Sequence, residues 1–149
     1  YYANENGLNS RLDEIQSSIL NLKMKYVNNY ISQRKKLANL YLKYLDDTSL
    51  KLPKPNKTNQ HVYHLFTVRH SKRNFIIKML NKKKIGTRII YPFPINNMNG
   101  YKKFKFNNKE LKNTIKYSKE IFSLPLHPEI KFSEVKKICG NLKDILKRT

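Results

Sequence analysis

The amino-acid sequence predicts an α+β fold: an N-terminal helical segment, then a small sheet of about three short strands with helices packed on it. Three observations lead there. Apolar residues between Leu12 and Leu45 recur at steps of three and four, the signature of a buried helical face. The stretches HVYHLFTVR, TRIIY and FSLPL are short and rich in β-branched and aromatic residues, as strands are. Helical patterns separate these stretches, so the order reads α-α-β-α-β-α-β-α, with strands expected to be antiparallel or mixed. At 149 residues the chain is long enough for one real core.

The first helix is expected to follow Ser10, which has capping-box spacing to Asp13, and to present Leu12, Ile15, Ile19, Leu22 and Tyr26. A pause is predicted at Asn28-Asn29. The pattern resumes through Ile31, Leu37, Ala38, Tyr41 and Leu45 and ends near Asp46-Asp47. The prolines of TSLKLPKPNKTNQ mark a loop, so residues 1–47 read as helices and residues 48–149 as the domain that holds the sheet. In HVYHLFTVR, alternation puts Val62, His64, Phe66 and Val68 on one face and Tyr63, Leu65 and Thr67 on the other. Both faces carry apolar groups, which predicts a central strand. Ser71 is expected to cap a helix with a stripe of Phe75, Ile76, Met79 and Leu80, closed by Lys82, Lys83 and Lys84. Ile85-Gly86 should turn the chain into TRIIY, which stops at Pro92. A further helix is expected over residues 108–121. After FSLPL, Ser133 should cap a last helix carrying Val135, Ile138, Leu142, Ile145 and Leu146.

The net charge of +21 suggests nucleic acid or an anionic surface. The excess is nearly all Lys, spread along every segment, and Asn, Ile and Tyr are abundant too, as AT-rich codons supply them. A solvated, codon-biased surface therefore explains the charge better than a dedicated site, and nucleic acid is not an expected partner. A basic nucleic-acid-binding module is the alternative reading. No run of about 18 apolar residues suggests a membrane span. No secretory signal pattern appears, and the lone Cys139 fits a reducing cytoplasm.

Local motifs point to no catalysis. His61 and His64 lie three apart on an expected strand, hence on opposite faces, and no second His/Cys pair completes a metal site. Cys139 falls on the buried side of the last helix and reads as a small hydrophobe. Nucleophile elbows and glycine-rich phosphate loops do not occur.

Longer patterns say more. GLNSRLDEIQSSIL resembles the segment G-x-N-S-R-[LM]-D-E-[LI]-Q-A-A-I-L of the DegT/DnrJ/EryC1/StrS sugar aminotransferases. Arg34 through Ala38 with Tyr41 is similar to that family's R-R-x-I-A-x-x-Y, and HVYHLFTVR to its H-x-x-H-L-F-x-[IV]-R. Ile85-Gly86-Thr87 with Tyr91-Pro92-Phe93-Pro94-Ile95 resembles G-I-x-T-x-x-H-Y-P-x-P-[IL]-H, and SLPLHPEI resembles L-S-L-P-[ML]-x-P-x-[LI]. These motifs are collinear and span essentially the whole chain.

The resemblance implies the C-terminal small domain of a fold-type I aminotransferase dependent on pyridoxal 5'-phosphate, with residues 1–47 as helices between domains and at interfaces. The parent would move an amino group from an amino acid such as glutamate to a nucleotide-linked keto sugar, for surface polysaccharide or glycoconjugate synthesis. It would act as a homodimer. The Schiff-base lysine would lie in an N-terminal domain that this sequence does not include, so the chain alone is expected to be inactive and to contain no catalytic residue. By the same resemblance Asn9 would reach the cofactor phosphate of the neighbouring subunit, with Arg11 beside it. Tyr91 and Pro92 would lie near the sugar nucleotide. Ile90 and Asn96 stand where the family often has histidine. Leu12, Ile15 and Ile19, facing an absent partner surface, should leave an exposed apolar patch.

Overall fold

The computed structural model describes residues 2–5, 7, 13–55, 61–104, 106–107 and 109–149. Helix α1 spans Glu14–Met24 and α2 spans Val27–Leu45. Asp13 caps α1 by accepting the Gln16 N–H at 2.7 Å. Ser10 and Leu12, given roles at this helix start, lie outside the described residues. The break falls at Lys25-Tyr26, earlier than the Asn pair suggested. Lys25 and Tyr26 donate to Leu22 and Lys23 carbonyls, tightening the end of α1. Asn28 and Asn29 then occupy the first turn of α2, where backbone N–H groups need no intrahelical partner and Asn costs little.

Strand β1 is Phe66–Arg69 and β2 is Ile121–Leu124, paired antiparallel with Phe66 opposite Leu124 and Arg69 opposite Ile121. Isolated bridges extend the sheet by one residue pair on each side, Lys51 to Arg69 and Arg88 to Ser123. TRIIY is therefore not a full strand: only Arg88 exchanges backbone bonds with Ser123, before the chain turns away towards its prolines. HVYHLFTVR is extended only in its second half. Tyr63 takes a left-handed φ of 51°, and its carbonyl and that of His64 are claimed by the Arg34 guanidinium at 3.2 and 3.0 Å. That kink moves Tyr63 into the core with Phe66 and Val68, while Val62 and His64 turn outward.

Helix α3 spans Arg73–Lys82, α4 spans Lys112–Glu120 and α5 spans Phe132–Leu146. Ser71 does not cap α3; the His70 ring accepts the Lys72 N–H at 3.0 Å instead. Ser133 lies inside α5, whose first turn is closed by the Glu134 carboxylate accepting the Lys131 N–H at 2.9 Å. Two short 3-10 turns, Ile95–Asn97 and Asn99–Phe104, fill the polar stretch before α4.

The core lies where α5 packs on α2 and α3 and all three cover the sheet. Leu37, Ala38, Tyr41 and Leu45 of α2 are buried as their spacing predicts, against Val135, Ile138, Leu142 and Ile145 of α5. Tyr41 stacks on Phe66 at 4.8 Å, a pairing that adds about 0.5–1.5 kcal/mol beyond burial alone. Its hydroxyl donates to the Pro125 carbonyl at 2.9 Å. Cys139 is buried as expected, and burial pushes its thiol up to about 11. α1 contrasts with all of this: it has no buried residue, and Ile15 and Ile19 are 75% and 52% exposed.

Candidate functional site

The loop after the Arg88 bridge is the site that the sequence points to. Tyr91 is exposed and Pro92 half-buried. Tyr91 forms the rim of a cleft of about 340 Å³ with Phe93, Ile95 and Met98, walled on the other side by Thr114, Tyr117 and Ser118. The prolines at 92 and 94 remove backbone donors and restrict φ, so the loop presents its rings without forming a strand. Ile90 and Asn96, the positions that depart from the family pattern, are both half-buried.

The far wall of the cleft is held by two arginines. Arg69 lies 3.6 Å above the Tyr117 ring and 3.6 Å from the Glu120 carboxylate. Arg73 donates to the carbonyls of Ser118 and Ile121 at 2.6 and 3.4 Å, closing the end of α4 where orphan carbonyls need donors. Burial lowers the pKa of His70 beside them, with Lys72 adding to the effect, which suits a ring nitrogen that accepts a backbone N–H. None of these wall contacts is readable from the sequence, because Arg69, Arg73 and Tyr117 come from different elements. Arg34 belongs to a family-like motif, yet its role as a clamp on Tyr63, His64 and Leu126 carbonyls emerges only in the fold.

The N-terminal segment reaches the same loop. The Tyr2 ring meets Phe93 edge-on at 5.5 Å, and the Tyr2 hydroxyl donates to the Asn97 carbonyl at 3.3 Å. Gly100 donates to the Ala3 carbonyl at 3.0 Å. A Cβ at Gly100 would stand 2.9 Å from the Glu5 backbone, so glycine is what permits this approach. Asn9 and Arg11 lie outside the described residues. The chain ahead of them runs beside Phe93, Asn97 and Gly100.

The remaining sequence candidates are not brought together. The His61 ring accepts the Tyr63 N–H at 2.9 Å and serves the local turn, while His64 contributes its carbonyl to Arg34. Among the described residues no group of three or more His, Cys, Asp or Glu gathers into a metal-sized cluster.

Fold and loop together define a small α+β domain with an exposed aromatic cleft and a first helix that buries none of its residues. Residues 1–143 match the model of the DegT/DnrJ/EryC1/StrS aminotransferase family, and the chain belongs to that family. It is 32% identical, over 98% of its length, to a dTDP-3-amino-3,4,6-trideoxy-alpha-D-glucose transaminase of Micromonospora megalomicea subsp. nigra, of which it covers 40%. It is also 32% identical, over 89% of its length, to a dTDP-3-amino-3,6-dideoxy-alpha-D-galactopyranose transaminase of Aneurinibacillus thermoaerophilus, covering 36%. The crystal structure of S. venezuelae DesV in complex with a ketimine intermediate superposes with a TM-score of 0.87 at 26% identity, over 96% of this chain and 39% of that one. The chain thus spans about two-fifths of the length of the relatives it matches.

Proposed function

We propose that this chain is the C-terminal small domain of a pyridoxal 5'-phosphate-dependent sugar-nucleotide aminotransferase. The parent would transfer an amino group from an amino acid such as glutamate to a nucleotide-linked keto sugar. The observation that carries the reading is the family match over residues 1–143 on a chain that covers only 36–40% of its sugar-aminotransferase relatives. The cofactor supplies an electron sink for the amino transfer.

The described residues do not by themselves make a pocket for it. A lysine that condenses with a carbonyl is activated by desolvation, and no lysine among the described residues is buried. By the family resemblance the cofactor-bearing region is assigned to the N-terminal part of the parent, and no catalytic residue is assigned here. What this chain offers is a border. Tyr91 and Pro92 present an apolar cleft to the sugar nucleotide, and Asn9 with Arg11 would add phosphate contacts across a homodimer interface. The exposed Ile15, Ile19 and Leu22 of α1 would meet the rest of the parent. Products of such a reaction serve polysaccharide or glycoconjugate synthesis, and the lone, buried Cys139 suits a cytoplasmic enzyme.

Reconstitution tests the reading. Joined to or co-expressed with the cofactor-bearing region, the chain should complete an enzyme that takes up pyridoxal phosphate, turns visibly yellow and aminates a keto sugar nucleotide at the expense of glutamate. Asn9→Ala should weaken cofactor retention about tenfold, as loss of one charge-assisted contact does. A reconstituted protein that binds no pyridoxal phosphate with Asn9 intact overturns the proposal.

A further inference from the structure

Two clefts run into one another where the chain leaves β2. One, of about 400 Å³, is bordered by Leu65, Arg88 and Ile90. The other, of about 420 Å³, is bordered by Lys83, Lys84, Ile130, Glu134 and Lys137. Gly86, Pro125 and His127 line both, so the two form one continuous groove. Four cations face it, Lys83, Lys84, Arg88 and Lys137, against one carboxylate, Glu134. That carboxylate already accepts the Lys131 N–H at 2.9 Å, and the His127 ring is paired with Glu129 at 3.2 Å. The four cationic side chains are exposed, and among the described residues none has a hydrogen-bond, ion-pair or aromatic partner.

Local structure does not account for these cations. After the Lys83 cap of α3, the Lys84 N–H donates to the Asn81 carbonyl at 2.9 Å and the Ile85 N–H to the Leu80 carbonyl at 3.0 Å. This closure puts the residue after the cap in the left-handed region, where glycine is usual, yet Lys84 occupies it with a φ of 59°. Gly86, two residues on, has no positive φ, and the family-like pattern G-I-x-T has its glycine at the position of Lys84. A side chain kept at a conformational cost points to a use for it. Lys137, in the second turn of α5, gains nothing from a helix dipole that favours cations at the other end. We propose that the groove binds a small phosphorylated molecule, with Lys84, Arg88 and Lys137 holding its phosphate oxygens and Pro125, Ile130 and Ile138 supporting its body. The groove has the dimensions of small-ligand sites. Its lining disfavours larger occupants. No Phe or Tyr borders it, so the bases of a single strand have no platform to stack on. A peptide strand finds no backbone to pair with: Ser123 exchanges both bonds with Arg88, the Pro125 carbonyl accepts from Tyr41, and the Leu126 carbonyl accepts from Arg34. This inference stands independently of the aminotransferase reading.

The test is isothermal titration calorimetry of the full chain with inorganic tripolyphosphate at physiological ionic strength. Changing Lys84, Arg88 and Lys137 together to Gln should weaken binding by about tenfold or more. A charge-matched control on α4, Lys112→Gln with Lys116→Gln and Lys119→Gln, should weaken it by less than about threefold, since distant exposed charges are screened. Lys84→Gly separates binding from structure. It should weaken binding by about threefold or more, yet raise the thermal unfolding midpoint, because glycine takes the left-handed φ without cost. Circular dichroism follows that midpoint and confirms that each variant is folded. Equal losses in the two triple variants would show diffuse attraction to a basic protein and overturn the proposal. So would the absence of binding, an unchanged affinity in Lys84→Gly, or a lowered midpoint in that variant, which would make the lysine structural. Tighter binding of an oligothymidylate that the groove triple variant abolishes would also overturn it, by making the occupant a nucleic acid.

Discussion

α1 and α2 are neighbours in sequence and opposites in packing. α2 buries Leu37, Ala38, Tyr41 and Leu45, whereas α1 buries nothing and leaves Ile15, Ile19, Leu22 and Met24 in solvent. Both have helical periodicity, so periodicity reports that a face is apolar and not that the partner is present. The core built on α2, α5 and the sheet is self-sufficient, while α1 is a helix with an unfilled side. The chain spans about two-fifths of its relatives' length, and the proposed function assigns the open side of α1 to the remainder of a longer parent.

The largest effect should expose this asymmetry directly. Phe122→Ala removes a fully buried ring and should destabilise the chain by about 3–5 kcal/mol. Ile15→Ala, an equally conventional truncation of a large apolar side chain, should change stability by less than about 0.5 kcal/mol. Urea denaturation of both variants makes the comparison. Comparable losses would mean that α1 is part of the core and would break the contrast.

A smaller effect separates the regions by pH. Burial raises the Cys139 thiol from 9.0 to about 11, and burial with the nearby Cys139 raises the Tyr41 hydroxyl as well. Both are acids held neutral by the folded core. The Cys139 contribution to stability is complete below 9.0 and is lost as pH rises towards about 11, while the Tyr41 contribution is complete below 10.0 and is lost at higher pH still. Unfolding midpoints should fall over that interval. Cys139→Ala should flatten the early part of the fall and leave most of the later part, which belongs to Tyr41 and is set first by its burial. Ile15→Ala should leave the profile unchanged, because Cys139 and Tyr41 are buried on α5 and α2 and α1 has no buried residue. A profile that Cys139→Ala does not alter would show that the thiol is not held in the core.

These regions also differ in how much their sequence reveals. The stripes of α2 and α5 follow from a period of 3.6 and the alternation of FTVR from a period of 2, because their partners lie inside the chain; the strand expected over FSLPL starts instead at Ile121, and its Phe122, Ser123 and Leu124 are buried in succession. The kink at Tyr63 was hidden, since alternation in HVYHLF fits a strand until Arg34, 29 residues earlier, takes the Tyr63 carbonyl. The caps misled for a related reason: Ser71 and Ser133 have the right chemistry, but His70 and Glu134 lie at the geometry the backbone offers. For the site, the family-like motifs pointed to Tyr91 and Pro92. The wall made by Arg69, Arg73 and Tyr117 depends on contacts between elements, which no local pattern encodes.

The smallest expected effect concerns the strap formed by residues 2–5. Among the described residues it meets the loop of residues 93–100 through the Tyr2–Phe93 edge contact, the Tyr2 bond to Asn97, the Asn99 bond to Asn4 and the Gly100 bond to Ala3. None of these touches the core of α2, α5 and the sheet. Gly100→Ala places a methyl group 2.9 Å from the Glu5 backbone, too close to be accommodated without movement. Because the strap is held to the loop by these few contacts, it should yield before the loop does. Global stability should therefore change by less than about 1 kcal/mol, while amide exchange at Gly100 rises towards that of an open segment. A loss in denaturation as large as that of Phe122→Ala would show that the strap is continuous with the core. The N-terminal region would then be unbound only along α1.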